Sequence, residues 1–110
     1  MHPRRGEVWW VSFDPSVGGE IQKTRPAIII SNDAANIGLN RVIVVPITSQ
    51  IAKLYPGEAF ITVNGEKRKA MADQIVTASK QRLQNKLGTL VRSDMTAVEN
   101  VVLFQLGMRR

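Results

Sequence analysis

Lys23-Thr24-Arg25-Pro26 leads into the apolar run Ala27-Ile28-Ile29-Ile30, and a second apolar run, Val42-Ile43-Val44-Val45-Pro46-Ile47, ends on Thr48-Ser49-Gln50. Both runs are rich in β-branched residues and bounded by polar or Gly- and Asn-bearing segments, so they read as neighbouring strands buried on both faces. The segment between them, residues 32–40, is short enough to return the chain antiparallel. Cross-strand partners then sit equidistant from a loop centre between Asn36 and Ile37, which sets Arg25 opposite Thr48. A guanidinium and a hydroxyl at the open end of a two-strand ribbon suit one phosphate: the guanidinium matches phosphate oxygens bidentately and the hydroxyl adds a donor. The plainer alternative has Arg25 capping a strand end and Thr48 serving as a β-former.

Upstream, Val8-Trp9-Trp10-Val11-Ser12-Phe13 reads as a first strand ended by Asp14-Pro15. Period two sends Trp9 and Trp10 to opposite faces, so one is core and the other is packed on an appended helix, in an interface, or available for stacking. Residues 14–22 carry Pro15, Gly18 and Gly19 before Glu20 and form an excursion loop at the mouth of the strand pair. Glu20 is there a candidate acid, base or substrate orienter, or a solvated carboxylate that offsets Lys23.

Downstream, residues 49–58 contain the turn signal Tyr55-Pro56-Gly57 and a positive tip at Lys53. Ala59 to Val63, Asn64-Gly65 and Glu66 to Ala72 give the clearest local signal, because Asn-Gly suits a two-residue hairpin with positive φ at both positions. Lys67-Arg68-Lys69 on the return strand reads as a solvated edge, ahead of direct phosphate contact. Residues 72–77 continue the sheet, 79–84 have the composition of one helical turn, and 88–91 read as a last short strand. Ser93-Asp94 then opens a helix whose Met95, Val98, Val101, Val102 and Leu106 recur at helical spacing, with Arg109-Arg110 suited to the negative end of its dipole. The expected fold is mainly β with one closing helix (α+β): a small, bent barrel of five to seven antiparallel strands and a C-terminal α-helix.

At 110 residues the chain fits one domain, residues 1–110, long enough to bury a modest core without staples. It has no cysteine, which removes disulfide and thiolate chemistry, and one histidine, His2, which leaves few nitrogen ligands for a metal. No metal site and no cofactor are expected. There is no long uncharged apolar span and no signal-peptide pattern, so the chain reads as cytoplasmic with no membrane partner. The formal net charge of +6 favours an anionic partner.

Familiar catalytic motifs are absent: no phosphate-cradling Gly-x-x-x-x-Gly-Lys-Ser/Thr, no His-Glu-x-x-His, no histidine pair. What remains is a polar set at strand ends and loops. It comprises Glu20, Thr24, Arg25, Thr48, Ser49, Gln50 and Lys53, with Asp73-Gln74 from a later strand. Such a set suits anion binding and transition-state stabilisation. RNA supplies its own nucleophile, the 2′-hydroxyl, so a protein need only align that oxygen, neutralise the crowded phosphorus and assist the leaving 5′-oxygen.

At these residues the chain resembles the MazF/PemK family of toxin endoribonucleases from type II toxin–antitoxin modules. The pieces are Arg5-Gly6-Glu7-Val8-Trp9, Gly19-Glu20, Arg25-Pro26 with its apolar run, Val45-Pro46-Ile47-Thr48, and Asp73-Gln74-Ile75 leading to Lys80-Gln81-Arg82-Leu83. No single piece is specific, but together they fall in the family's order and cover most of the chain up to Leu83. The resemblance implies an SH3-like barrel, a homodimer, and metal-independent, sequence-specific cleavage of single-stranded RNA, often mRNA, leaving a 2′,3′-cyclic phosphate and a 5′-hydroxyl. It maps the catalytic arginine to Arg25 and the catalytic threonine to Thr48, an acidic loop position to Glu20, and a position lining the RNA groove to Gln74. It also implies a cognate antitoxin whose acidic, disordered tail blocks the groove, consistent with the positive charge. The competing reading is a CcdB-like toxin of the same fold that poisons DNA gyrase without cutting RNA; its C-terminal tryptophan has no counterpart in residues 105–110.

Overall fold

The two apolar runs form strands β2 (Thr24–Ile29) and β3 (Arg41–Thr48) in a computed structural model that describes residues 2–109. They pair antiparallel, with Ala27 opposite Pro46, Ile28 opposite Val45 and Ile29 opposite Val44. This is the register that the loop centre predicts. Ala27, Ile28, Ile29, Val44 and Val45 are all fully buried, so both faces of the pair are covered. Strand parity sorts them into two cores. Ile28, Val45 and Ile47 join Val8, Ile61, Val63, Ala70 and Val98 in one, whereas Ala27, Ile29, Val42 and Val44 join Trp9, Val11, Phe13 and Ala78 in the other. Each such Ile or Val contributes roughly 1.5–3 kcal/mol relative to exposure, which makes this pair the spine of the fold.

Around it lie β1 (Glu7–Ser12), β4 (Glu58–Val63), β5 (Glu66–Met71), β6 (Val76–Ser79) and β7 (Leu83–Thr89). The order is β4-β5-β3-β2-β1-β7, with β6 also on β3. β3 forks along its outer edge, since residues 41–44 pair with β6 while Ile47 and Thr48 pair with β5. One strand serving three partners curls the antiparallel sheet into an SH3-like half-barrel. Helix α2 (Arg92–Gln105) closes the first core through Met95 and Val98, as its apolar spacing predicts.

The Asn-Gly hairpin forms as expected: Val63 faces Glu66, and Asn64 and Gly65 adopt φ of 49° and 81°. Several boundaries differ from the sequence reading. A six-residue helix, α1 (Asp33–Gly38), fills the β2–β3 connection, capped by Asn32, whose side chain accepts the Ala35 N–H. Residues 72–74 make a 3-10 turn before β6, and a second turn spans Lys80–Arg82. The last strand starts at Leu83 rather than Gly88, because pairing with β1 draws the polar residues before it into the sheet through two register shifts. α2 starts at Arg92 on an N-cap, Val91, that makes no side-chain bond, and Asp94 instead accepts the Thr62 N–H at 2.9 Å. Leu106 lies past the helix and is exposed. Lys69 is buried, contrary to the solvated edge expected of its basic run. The expected role of Arg110 at the helix dipole lies outside the described residues. No helix among the described residues is long and apolar enough to cross a membrane.

The N-terminal strand is held by ionised groups. Arg5 donates Nε to the Ile30 carbonyl at 3.0 Å and pairs with Glu99 at 2.6 Å. Glu7 accepts the Arg4 N–H at 2.8 Å and the Trp9 indole at 2.9 Å, and pairs with Lys86 at 3.1 Å. Burial works to raise the Glu7 carboxyl, but these partners outweigh it and hold the pKa below its ordinary range. Asp33 is likewise lowered, first by the Arg5 backbone N–H and then by Asn36.

Candidate functional site

Pairing between β2 and β3 runs only to Ala27 and Pro46. Beyond that point Arg25 stays with β1, opposite Val11, while Thr48 goes to β5, opposite Lys69. The strands diverge, and the ribbon end that the sequence predicts as a phosphate clamp becomes the mouth of a groove of about 330 Å³ lined by both side chains. Its apolar lining is Trp10 and Pro26 with Ile47, Val63 and Leu87 of the first core. Its polar lining is Arg25, Thr48, Ser49, Asn64, Glu66 and Arg68.

Arg25 is half-buried, and its Nε donates to the Gln22 carbonyl at 2.9 Å. That bond fixes the plane of the guanidinium. Among the described residues its two terminal nitrogens have no hydrogen-bond partner and no carboxylate in ion-pair range, so the fork is available to an anion. Thr48 Oγ1 accepts the Gln50 N–H at 3.2 Å, which leaves its own hydrogen for donation. Arg68 pairs with Glu66 at 2.9 Å, so the groove carries two guanidinium groups against one carboxylate and is net positive.

Of the other residues singled out by sequence, Ser49 lines this groove, while Gln50 and Lys53 lie exposed on the segment after it. Lys53 stands 5.3 Å from the centroid of the Tyr55 ring. Thr24 is exposed at the start of β2, opposite Ser12. Glu20 and Gln74 line a second hollow of about 280 Å³ with Asp73, Ile75 and Arg82. Glu20 accepts the Val17 N–H at 2.7 Å, closing its own turn. Gln74 spends both ends of its amide on the excursion loop, accepting from Ile21 N–H at 3.2 Å and donating to the Gly19 carbonyl at 3.2 Å. Because Gln22 follows directly and carries the Arg25 bond, Gln74 is connected to Arg25 through the loop backbone.

Sequence reasoning did not single out Asn64 as a groove residue, and it ranked stacking by one tryptophan and phosphate contact by residues 67–69 below packing and a solvated edge, yet Trp10, Asn64 and Arg68 all line the groove. For Trp10 the signal was present: period two requires one of the paired tryptophans to leave the second core, and Trp9 is the buried one. Asn64 and Arg68 arrive only because the β4–β5 hairpin folds back over β7, where Asn64 donates to the Leu87 carbonyl at 3.0 Å. Among the described residues no group of three or more histidine, cysteine or carboxylate side chains is placed to hold a metal ion.

Comparison with known proteins places the chain in a family and matches its fold. A family model described as "PemK-like, MazF-like toxin of type II toxin-antitoxin system" covers residues 4–106. The chain is 35% identical over 114 residues to Endoribonuclease MazF9 of Mycobacterium tuberculosis, covering 96% of this chain and 97% of that protein. The crystal structure of MazF from Deinococcus radiodurans superposes with a TM-score of 0.86 at 27% identity, covering 98% of this chain and 99% of that one. An endoribonuclease in complex with its cognate antitoxin from Mycobacterial species has the same fold, with a TM-score of 0.82 at 23% identity and 98% of both chains covered.

Proposed function

The chain belongs to the PemK-like, MazF-like toxin family of type II toxin–antitoxin systems, and from that premise we propose that it is an endoribonuclease that cuts single-stranded RNA, mRNA included, at a short sequence without a metal ion. The observation that carries this reading is the shared groove. A fixed guanidinium with two open nitrogens and a hydroxyl with an open hydrogen line one net-positive mouth at the diverging ends of β2 and β3.

In the reaction, the RNA 2′-oxygen passes its proton to solvent water and bonds to the adjacent phosphorus. The bond from phosphorus to the 5′-oxygen breaks, and that oxygen takes a proton from solvent water. The products are a 2′,3′-cyclic phosphate and a 5′-hydroxyl. Negative charge accumulates on the non-bridging oxygens as phosphorus becomes five-coordinate, and there the Arg25 fork neutralises it while Thr48 donates a hydrogen bond. A guanidinium stays protonated near neutral pH, so Arg25 acts by charge. Ser49 lies beside the reacting phosphate. Thr24, Gln50 and Lys53 contact flanking nucleotides, and Glu20 and Gln74 extend the binding surface along the second hollow.

A solved relative is bound to its cognate antitoxin, which supports a partner of that class here. This toxin domain works in the cytoplasm as a homodimer, and a cognate antitoxin with an acidic disordered tail neutralises it by occupying the positive groove, in keeping with the net charge of +6. The test is to incubate the purified protein with a long RNA in EDTA and map the new 5′ ends. Recurrent ends at one short sequence, carrying a 5′-hydroxyl, support the reading. Ends that vanish on chelation defeat the metal-free chemistry, and intact RNA with inhibition of gyrase favours the binding-only toxin.

A further inference from the structure

Lys69 is a charged residue that is 4% exposed. Its neighbour Ala70 faces the first core, so by strand alternation Lys69 points to the opposite side of β5, away from that core. What covers it is the segment between β3 and β4, residues 49–57. Nζ of Lys69 donates to the Lys53 carbonyl in that segment and to Glu58 Oε1 at 2.8 Å, and it lies 5.4 Å from the centroid of the Tyr55 ring. Glu58 Oε1 accepts the Tyr55 N–H as well, at 2.8 Å. Three points on one segment therefore converge on one buried ion pair, whose side chains are only 5% and 11% exposed.

A buried pair of this kind adds little net stability over apolar side chains of the same size, but it demands one geometry of everything that bonds to it. Lys69 is also the cross-strand partner of Thr48, the residue from which the segment departs. We propose that the Lys69–Glu58 pair is a latch that holds residues 49–57 in the conformation that reads RNA beside Thr48, making Lys69 a positioning residue for sequence recognition. The proposal rests on the ribonuclease reading above and adds to it a role for a residue that touches no substrate. The latch fixes where Ser49, Gln50 and Lys53 stand relative to the scissile phosphate, so its loss weakens substrate binding and loosens the choice of cut site while leaving Arg25 and Thr48 in place.

The test uses two variants, Lys69→Met and Lys69→Met combined with Glu58→Gln. The second removes the uncompensated carboxylate that the first leaves buried, and it keeps the oxygen that accepts the Tyr55 N–H. The Lys53 carbonyl is tied to Lys69, so trypsin cuts after Lys53 faster once the segment lifts off β5, and the rate of the Lys53–Leu54 nick, followed by mass spectrometry against the other tryptic sites, reads the latch. In both variants that nick accelerates on the order of 10-fold or more, the weight of a hydrogen bond to a charged group. With RNA, KM rises by about 10-fold, kcat stays within about 3-fold, and cuts spread to related sequences. A Lys53–Leu54 nick unchanged in both variants overturns the latch, as does a faster nick with KM and cut sites unaltered. A wild-type protein that cuts no RNA overturns the ribonuclease reading and this role with it, an outcome distinct from failure of the latch because the nick needs no RNA.

Discussion

Replacing Thr48 with Val separates the two roles that this residue can have. The side chain keeps its β-branched shape, so strand propensity and the cross-strand contact with Lys69 are preserved. The protein-side loss is one bond, the Gln50 N–H to Oγ1 at 3.2 Å, between half-buried and exposed groups. Such a bond is worth about 0.5–1 kcal/mol net, and Gln50 can turn to water once it is broken. For a chain of this size that corresponds to a fall in Tm of roughly 2–8 °C. If the hydroxyl supports the five-coordinate phosphorus, losing it costs on the order of 10²-fold in single-turnover cleavage, the scale of one oxyanion donor. The assay pairs a thermal melt with cleavage of a short RNA at saturating protein. Cleavage at the wild-type rate, or a Tm collapse of roughly 15 °C or more that accounts for the lost activity, refutes the reasoning.

Gln74→Ala removes both bonds to the loop at Gly19 and Ile21 and slackens the Gln22 carbonyl that fixes Arg25. Its cleavage rate falls about 10-fold while its Tm moves by only a few degrees, about the cost of two long surface bonds, measured by single-turnover kinetics beside a melt. Asn36→Ala takes away a fully buried amide bonded to Ser31 and Asp33, and chemical unfolding reports a loss of about 2 kcal/mol with cleavage per folded molecule unchanged. Glu7, whose folded pKa lies below its usual 4.5, contributes stability that is present above that pH and is lost as pH falls through the folded value. Glu7→Gln is accordingly less stable than wild type at neutral pH, and the gap between the two denaturation curves narrows on acidification below about 4.5.

Much of the fold was legible because burial on both faces leaves β2 and β3 no other reading. A nine-residue connection also fixes their register whether or not it contains a helix. That indifference is why α1 was missed: Asp33-Ala34-Ala35-Asn36-Ile37-Gly38 has no apolar stripe, and its one buried residue is an asparagine. β7 was cut short because Gln84-Asn85-Lys86 has no β preference and becomes strand through pairing with β1. At the site, Arg25 and Thr48 were found from geometry on one strand pair. Gln74 stands in the candidate polar set, but its bonds to Gly19 and Ile21 depend on a loop from a distant part of the chain, and Lys69 reads as solvated because the segment that covers it lies 16 residues away in sequence.

The claim that Arg25 and Thr48 act on one phosphorus is tested most directly by a double-mutant cycle in EDTA. Single-turnover cleavage is measured for wild type, Arg25→Ala, Thr48→Val and the double variant. Residues that act as one unit on a transition state are strongly non-additive. With about 10³-fold lost in Arg25→Ala and about 10²-fold in Thr48→Val, the double variant stays near 10³. A double loss near the product of the two, about 10⁵-fold, or either single variant cutting at the wild-type rate, contradicts the account.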